Sequence, residues 1–266
     1  MQTDATGVGH DREVSHPEQQ RFLALVAAAN QPVLDGGRVL EIGSYDVNGT
    51  VRRAFRGAAD YVGVDLTAGP GVDRVGYGHE IEDPPASYDV AISGECFEHD
   101  PHWRETFSTM ARVVRPGGLV AFTCASTGRP EHGTTRTDPS LSPGTQSRGW
   151  DYYQNRTASD FEELPLAEWF EDWRFWEMTT SQDLFFAGVR AGRDDRPRAE
   201  LPAAAEVDAI AGLMSWPHRA LRAPLHWATR NGESPRYQDR IRPYWSSVLW
   251  VGRTARRVAS LPRRRG

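Results

Sequence analysis

The sequence contains no lysine: all 31 of its basic residues are arginine, against 36 aspartate and glutamate residues. Cysteine is also scarce, with only Cys96 and Cys124 present. Two cysteines cannot form a framework of several disulfides, and neither lies in a spacing typical of zinc sites. No uncharged run reaches the roughly 20 residues that a membrane-spanning helix needs. These absences argue against a disulfide-stabilised scaffold and a helical membrane protein.

The first apolar run is residues 22–29, and the residues before it carry four acids and two arginines. A secretory signal peptide starts with a positively charged segment, which is missing here. We therefore expect a cytoplasmic protein, and keep peripheral contact with the inner membrane surface as an alternative because of the basic end described next.

The net charge of -5 is unevenly divided along the chain. Residues 1–189 carry 15 arginines and 29 acids, a net charge of -14, whereas residues 190–266 carry 16 arginines and 7 acids, a net charge of +9. A basic end can contact nucleic acid or an anionic membrane, or it can fold onto the acidic body or stay solvated. We predict two parts: residues 1–190 as one domain and residues 191–266 as an arginine- and tryptophan-rich extension, mainly helical or partly disordered.

Within the first part, short apolar runs alternate with helical patterns, which predicts an α/β domain with a largely parallel sheet. A helix is predicted from Pro17 and another over 103–114. A third is predicted over 159–170, with a capping box formed by Ser159 and Glu162. The predicted strands are residues 38–43, 61–65, 72–75, 88–93, 119–124, 173–178 and 184–189.

Two stretches do not follow this alternation. Residues 126–157 are rich in serine, threonine, glycine and proline, and connections of this length are usually lids or binding loops. We predict a substrate loop or lid. The extension shows a helical pattern over 204–214, with breaks predicted at Pro217, Pro224, Pro235 and Pro243.

In an open α/β sheet, ligands bind beyond the carboxyl ends of the strands. The residues following the first, second and fourth strands are 43–49, Asp65 and 95–100, so these should border one crevice. Tyr45 and Asn48 occupy the positions where a dinucleotide-binding loop needs glycines. Glu41 inside the first strand is acceptable beside a cationic ligand, which disfavours NAD.

The ordered motifs of this chain resemble those of class I S-adenosylmethionine-dependent methyltransferases over roughly residues 20–190. The resemblance implies a Rossmann-like, seven-stranded, mostly parallel sheet with helices on both faces, and S-adenosyl-L-methionine as cofactor. It is carried by Val39-Leu40-Glu41-Ile42-Gly43-Ser44, Tyr61-Val62-Gly63-Val64-Asp65, Tyr88-Asp89-Val90-Ala91-Ile92-Ser93 with Glu98-His99, and Val114-Arg115-Pro116-Gly117-Gly118.

The resemblance also implies cofactor-binding positions. Asp65 would accept hydrogen bonds from the ribose, and Tyr77 departs from the family pattern, in which many members have an aspartate that contacts the adenine. The remaining expected positions lie under the methionine part (Glu41, Gly43, Ser44, with Gly49 in the same loop), beside the adenine (Leu66, Gly78, His79) and at the methionine end (Glu95, Cys96).

His99 is the best-placed candidate for a catalytic base, with a role in shaping the pocket as the alternative. His132, Tyr152 and Tyr153 in the long loop are further candidates to face the acceptor. His99 and His102 flank Asp100, but no further histidine or cysteine completes a ligand set in the sequence, so we predict no metal.

The function expected from these observations is methyl transfer to an oxygen or nitrogen of a small molecule, such as a sugar, a lipid headgroup or a secondary metabolite. One alternative is a nucleic-acid methyltransferase, disfavoured because residues 93–97 lack the proline-containing motif of related DNA enzymes. Another is a non-catalytic protein whose tail, around Val248, Leu249 and Trp250, docks on an anionic membrane or a partner.

Overall fold

The computed structural model describes residues 17–47, 49–229 and 237–259, with side chains described as far as residue 248. The strands are β1 Arg38–Ile42, β2 Asp60–Asp65, β3 Arg74–Val75, β4 Tyr88–Gly94, β5 Val114–Ala125, β6 Phe170–Met178 and β7 Asp183–Arg190. They form one sheet in the order β3-β2-β1-β4-β5-β7-β6. Strand β7 runs antiparallel to its neighbours β5 and β6, and the other neighbouring strands pair in parallel. This confirms the predicted seven-stranded, mostly parallel Rossmann-like sheet.

Helices cover both faces of the sheet because the buried strands present apolar side chains alternately to each side. Val39 and Ile92 pack with Phe22 of the first helix, while Leu40 and Ala91 pack with Phe107 of the third. The helices are α1 Pro17–Ala29, α2 Gln31–Leu34, α3 Trp103–Val113, α4 Pro143–Ser147, α5 Ala158–Glu162, α6 Leu166–Trp169, α7 Ala204–Asp208, α8 Trp216–Thr229 and α9 Tyr237–Ala259.

Aromatic rings hold the α3 face together. The Phe122 ring is stacked on Phe161 with 4.7 Å between centroids, and Phe107 contacts both rings edge-on. Each such buried side chain contributes about 1.5–3 kcal/mol through removal of apolar surface from water. The carboxyl ends of β1, β2 and β4 are thereby fixed on a rigid layer.

The predicted helix over 159–170 is wrong in extent. The capping box is formed by Thr157 and Asp160, two residues earlier than predicted, and α5 ends at Glu162. Pro165 lacks an N–H donor and separates α5 from α6, because proline in a helix interior removes one backbone hydrogen bond. The apolar pattern across both helices is continuous, which is why it resembled a single helix.

Two predicted proline breaks in the extension are also wrong. Pro224 lies inside α8 and Pro243 lies inside α9. Both are exposed, so each ring stands at the surface of a helix that continues past it. Pro217 stands at the start of α8, and Pro235 lies outside the described residues. The predicted helix over 204–214 is divided into α7 and a 3-10 turn at Ala209–Gly212.

The first part of the extension is anchored beneath the sheet. Arg115 is 1% exposed; its Nε donates to Asp89 at 2.6 Å and its Nη2 donates to the carbonyl oxygen of Pro197 at 2.6 Å. Asn30 donates to the carbonyl of Glu200 and accepts from its N–H, each at 2.9 Å. These bonds attach the chain beyond residue 196 to α1 and to the start of β5.

Candidate functional site

A cavity of about 260 Å³ opens at the carboxyl ends of β1, β2 and β4. The segment 126–157, the predicted lid, forms one of its walls. Every predicted site residue borders this cavity: Glu41, Gly43, Ser44, Gly49, Asp65, Leu66, Gly78, His79, Glu95, Cys96 and His99. The structure therefore brings together residues that are up to 58 positions apart in the chain. Their roles in binding remain predictions.

One part of the wall, which we call the glycine end, is formed by Gly43, Ser44, Asp65, Leu66, Gly78 and His79. At Gly43 the backbone has φ +81°, a left-handed conformation that glycine adopts without strain. A Cβ at Gly43 would lie 2.9 Å from Cys96 Cβ, and one at Gly78 would lie 2.8 Å from Ile42 Cγ2. Any side chain at these positions would intrude on the packing beneath the cavity.

Two carboxyl groups, the buried Glu41 and the half-buried Asp65, lie at the glycine end. Glu41 is 6% exposed and accepts a hydrogen bond from the Tyr61 hydroxyl at 2.7 Å. Burial raises the pKa of Glu41 to about 7. Asp65 accepts backbone N–H bonds from Tyr45 at 3.1 Å and Leu66 at 2.7 Å, and burial raises its pKa above the usual value. Since desolvation disfavours the ionised carboxylates, a cationic ligand here would be stabilised.

The 126–157 segment, the predicted lid, packs against the glycine end. Arg148 Nε donates to the carbonyl oxygen of Leu66 at 3.0 Å. The Trp150 ring lies 5.4 Å from Tyr77 and 5.7 Å from His102 between centroids. A Cβ at Gly144 of α4 would lie 2.5 Å from Asp65 Oδ1, so the backbone of the lid lies directly against this carboxylate.

The opposite part of the site, which we call the charged end, consists of Glu95, Glu98, His99, Arg129, His132, Asp183 and Arg222. Arg129 Nη1 donates to Asp183 at 2.8 Å, and its Nη2 lies 3.7 Å from Glu95. Burial and the neighbouring Glu98 raise the pKa of Glu95 well above its usual value. Burial also raises the pKa of Glu98 to about 7. These carboxyl groups are held out of water beside Arg129, which is paired with Asp183.

His99 lies at this end and is 6% exposed. Burial lowers its pKa to about 4, so the imidazole is neutral at physiological pH. The rings of His132 and Tyr153 lie 5.0 Å and 5.2 Å from it, which brings two of the three lid candidates against the predicted base. Tyr152 points elsewhere, its hydroxyl contacting Gln154 and Arg156.

The sequence analysis considered His99 with His102 as metal ligands and predicted no metal. In the structure His102 belongs to the ring cluster at the glycine end, 4.2 Å from His79. His99 instead meets His132 and Glu98, and the potential ligand atoms of these three residues all lie within 4.8 Å of one another. No local sequence pattern indicates this group, because His132 belongs to a loop and lies 33 residues after His99.

The extension contributes to the same wall, which the sequence analysis did not foresee. Arg222 of α8 and Trp245 of α9 line the cavity, with the guanidinium 5.2 Å from the ring centroid. Gln238 of α9 donates to the carbonyl of Arg129 and accepts from the N–H of Glu131, each at 2.9 Å. The aromatic and basic composition was visible in the sequence, but nothing local indicated where it packs.

The tail residues Leu249 and Trp250 lie beyond the described side chains. Within the described part of the chain, no helix is long and apolar enough to cross a membrane.

A family model described as "Methyltransferase domain" matches residues 14–186. No curated protein matches the sequence. Similar solved structures include phosphoethanolamine N-methyltransferase 2 from Haemonchus contortus in complex with S-adenosyl-L-methionine, 20% identical over 65% of this chain and 52% of that one, with a TM-score of 0.47. The chain thus spans about half the length of that enzyme.

Two further similar structures are bacterial. The 1,6-didemethyltoxoflavin-N1-methyltransferase of Burkholderia thailandensis is 18% identical over 66% of this chain and 80% of its own, with a TM-score of 0.46. An S-adenosylmethionine-dependent methyltransferase from Mesorhizobium loti is 18% identical over 62% of this chain and 95% of its own, with a TM-score of 0.44.

Proposed function

The chain belongs to the methyltransferase domain family, and we propose that it transfers a methyl group from its cofactor, S-adenosyl-L-methionine, to an oxygen or nitrogen atom of a small molecule. The observation that supports this most is the covered cavity at the carboxyl ends of the strands. Its glycine end carries carboxyl groups that suit the cofactor, and its charged end borders the same cavity.

The glycine end fits the cofactor by its chemistry. The cofactor carries a positive sulfonium and a ribose with two hydroxyl groups. Glu41, which is buried, and Asp65, which is half-buried, offer carboxylates whose ionised forms a cation or a hydrogen-bond donor would stabilise. Ser44 Oγ and His79 Nδ1 are buried polar atoms with no hydrogen-bond partner among the described residues. A ligand with both charge and hydroxyl groups would satisfy these atoms.

We assign the ribose to Asp65, whose carboxylate sits at the end of β2 on the cavity wall. The methionine part would lie between the β1 turn and the start of the charged end, beside Glu41, Gly43, Ser44, Gly49, Glu95 and Cys96. The adenine would lie beside Leu66, Gly78 and His79, under the Trp150 ring of the lid. Tyr77 packs on Trp150, so it would support the adenine through the lid.

When bound, the cofactor would supply a methyl group attached to a positively charged sulfur, and this sulfur would leave as the neutral thioether of S-adenosylhomocysteine. Positioning of the two reactants is then the main contribution of the protein, worth about 7–11 kcal/mol in well-oriented systems. The lid excludes water by its contacts from Arg148 and Trp150 to the glycine end. His99, neutral because it is buried, could take a proton from the acceptor, as its predicted role requires.

The walls of the cavity support a small acceptor. Gln19 and Gln20 of α1, the lid, Arg222 and Trp245 approach the charged end from different directions. Pockets for small molecules typically measure about 300–1,000 Å³, and this cavity of about 260 Å³ lies just below that range. A polynucleotide would need an open groove along the surface.

The test is calorimetric titration of the protein with S-adenosylhomocysteine, the product form of the cofactor. Asp65→Ala should weaken binding by about tenfold or more, since it removes charge-assisted hydrogen bonds. Asp60→Ala is the matched control, because Asp60 starts the same strand and forms an exposed pair with Arg38. Asp60→Ala should bind like the wild type.

Methyl transfer itself is measured as S-adenosylhomocysteine formed with a panel of small amines, phenols and sugars. Formation that depends on one acceptor class supports the proposal. A protein that does not bind the cofactor at millimolar concentration, or that transfers methyl groups only to nucleic acid, would contradict it.

A further inference from the structure

Three side chains of residue types that can ligate a metal meet beside the cavity. Glu98 and His99 follow β4, and His132 comes from the lid. Their potential ligand atoms all lie within 4.8 Å of one another. One ion with bonds of about 2.0–2.2 Å holds its ligand atoms roughly 3–4 Å apart, so small side-chain movements suffice for coordination.

The ring nitrogens of both histidines are arranged as metal ligands need. His132 Nδ1 lies 3.2 Å from the carbonyl oxygen of Pro130, which makes this nitrogen the donor and leaves Nε2 with its lone pair. His99 hydrogen-bonds the backbone of Tyr152, and its buried Nδ1 has no partner among the described residues. In metal sites a ligating histidine normally donates its other N–H to such a group.

The carboxylate is equally available. Glu98 is 0% exposed, and within the described part of the chain neither of its carboxylate oxygens makes a hydrogen bond of normal geometry. The carboxyl group interacts with its own backbone and with the Glu95 side chain, and a carboxylate buried in this way is costly unless a cation compensates it. Arg129 lies nearby, but it is already paired with Asp183.

We propose that Glu98, His99 and His132 bind one divalent transition-metal ion of the Zn²⁺, Mn²⁺ or Fe²⁺ class. Two imidazoles with one carboxylate suit these ions better than Mg²⁺ or Ca²⁺, which prefer oxygen ligands alone. The ion would join the lid to the end of β4 and so hold the 126–157 segment closed.

Three protein ligands leave coordination positions open, as catalytic metal sites do. His99 and His132 line the cavity, so these positions would face the space for the acceptor. A hydroxyl group bound there would have a lowered pKa, and His99 would then serve as a metal ligand in place of its role as the base. This last role, unlike the site itself, rests on the proposed function.

The test uses full-length protein freed of metal with a chelator, without cofactor or acceptor, and titrated with Zn²⁺ in a calorimeter. One saturable site per chain is expected. His132→Ala should weaken it by at least about 100-fold, because one of three ligands is removed. His102→Ala is the control, since this exposed histidine lies in the other ring cluster, and it should bind Zn²⁺ like the wild type.

Glu98→Gln provides a second variant of nearly unchanged size if His132→Ala does not fold, and it should show the same loss. Co²⁺ in place of Zn²⁺ should give a visible absorption band in the wild type that both variants lack. Absence of saturable binding, binding unchanged in His132→Ala or Glu98→Gln, or loss in His102→Ala would overturn the site. Cofactor binding measured on the same sample tests the proposed function separately.

Discussion

The two ends of the cavity are assembled in different ways. The glycine end is formed by turns directly after β1, β2 and β3, all within residues 41–79, with the lid above them. The seven residues of the charged end come from four separate segments, namely the turn after β4, the lid, β7 and α8, and they are held by buried ion pairs and hydrogen bonds. In our account, the first end serves a cofactor shared by a family, and the second serves an acceptor particular to this chain.

The largest effect on stability is expected at Arg129. Arg129→Met leaves Asp183, which is 0% exposed, without its partner, and breaking a buried pair typically costs about 3–5 kcal/mol. Arg104→Met, which removes an exposed pair with Glu163, should cost less than about 1 kcal/mol. Chemical denaturation of the two variants checks this. Equal losses would mean that the charged end is not held together by its buried charges.

Gly43→Ala should damage the glycine end. The left-handed φ strains any side chain by about 1–2 kcal/mol, and a Cβ would also press on Cys96. Gly36 has φ +72° but open space where a Cβ would lie, with nothing within 4 Å, so Gly36→Ala carries the strain without the contact. Calorimetry should show cofactor affinity reduced by about tenfold or more in Gly43→Ala alone. Equal affinities in both variants would place the cofactor elsewhere.

Trp245→Ala should affect the acceptor and spare the cofactor. The ring lines the charged end and covers Arg222, so its loss opens the wall contributed by the extension. With the acceptor found in the screen, kcat/KM should fall by about tenfold, a typical cost for an aromatic wall residue. Trp227→Ala, at a position 68% exposed, should leave kcat/KM unchanged. A loss of cofactor affinity in Trp245→Ala would contradict the division between the two ends.

The smallest effect is a pH dependence from Glu41. Its pKa is raised to about 7 by burial, and a bound cation favours the ionised carboxylate, so cofactor binding releases a proton. Affinity should therefore rise by up to about tenfold from pH 6 to pH 8. Glu41→Gln should flatten this dependence. A dependence that persists in Glu41→Gln would assign the proton to another group.

The sequence was sufficient for the sheet and for the residues around its carboxyl edge. Strand ends and the Asp65 and Gly43 turns are local patterns, and parallel strands bring their carboxyl ends to one edge without further information. Local patterns failed at Pro224 and Pro243, where helices continue through exposed prolines. They also gave the wrong capping box, which is formed by Thr157 and Asp160 and not by Ser159 and Glu162.

Apart from Glu95 and His99, the charged end could not be predicted in the same way. Arg222, Trp245 and His132 reach it through contacts between segments far apart in the chain, such as the bonds from Gln238 to Arg129 and Glu131. Packing of this kind leaves no periodic signal. The excess of arginine after residue 189 marked a change in composition along the chain. The structure shows that Arg222 and Trp245 from this region line the cavity.

The central claim is that cofactor and acceptor occupy the two ends of one cavity. A crystal structure with S-adenosylhomocysteine tests it most directly. We predict the ribose hydroxyls on the Asp65 carboxylate and the sulfur beside Glu95 and Cys96, facing His99 and His132. A ligand bound outside this cavity, or a sulfur turned away from the charged end, would contradict the account.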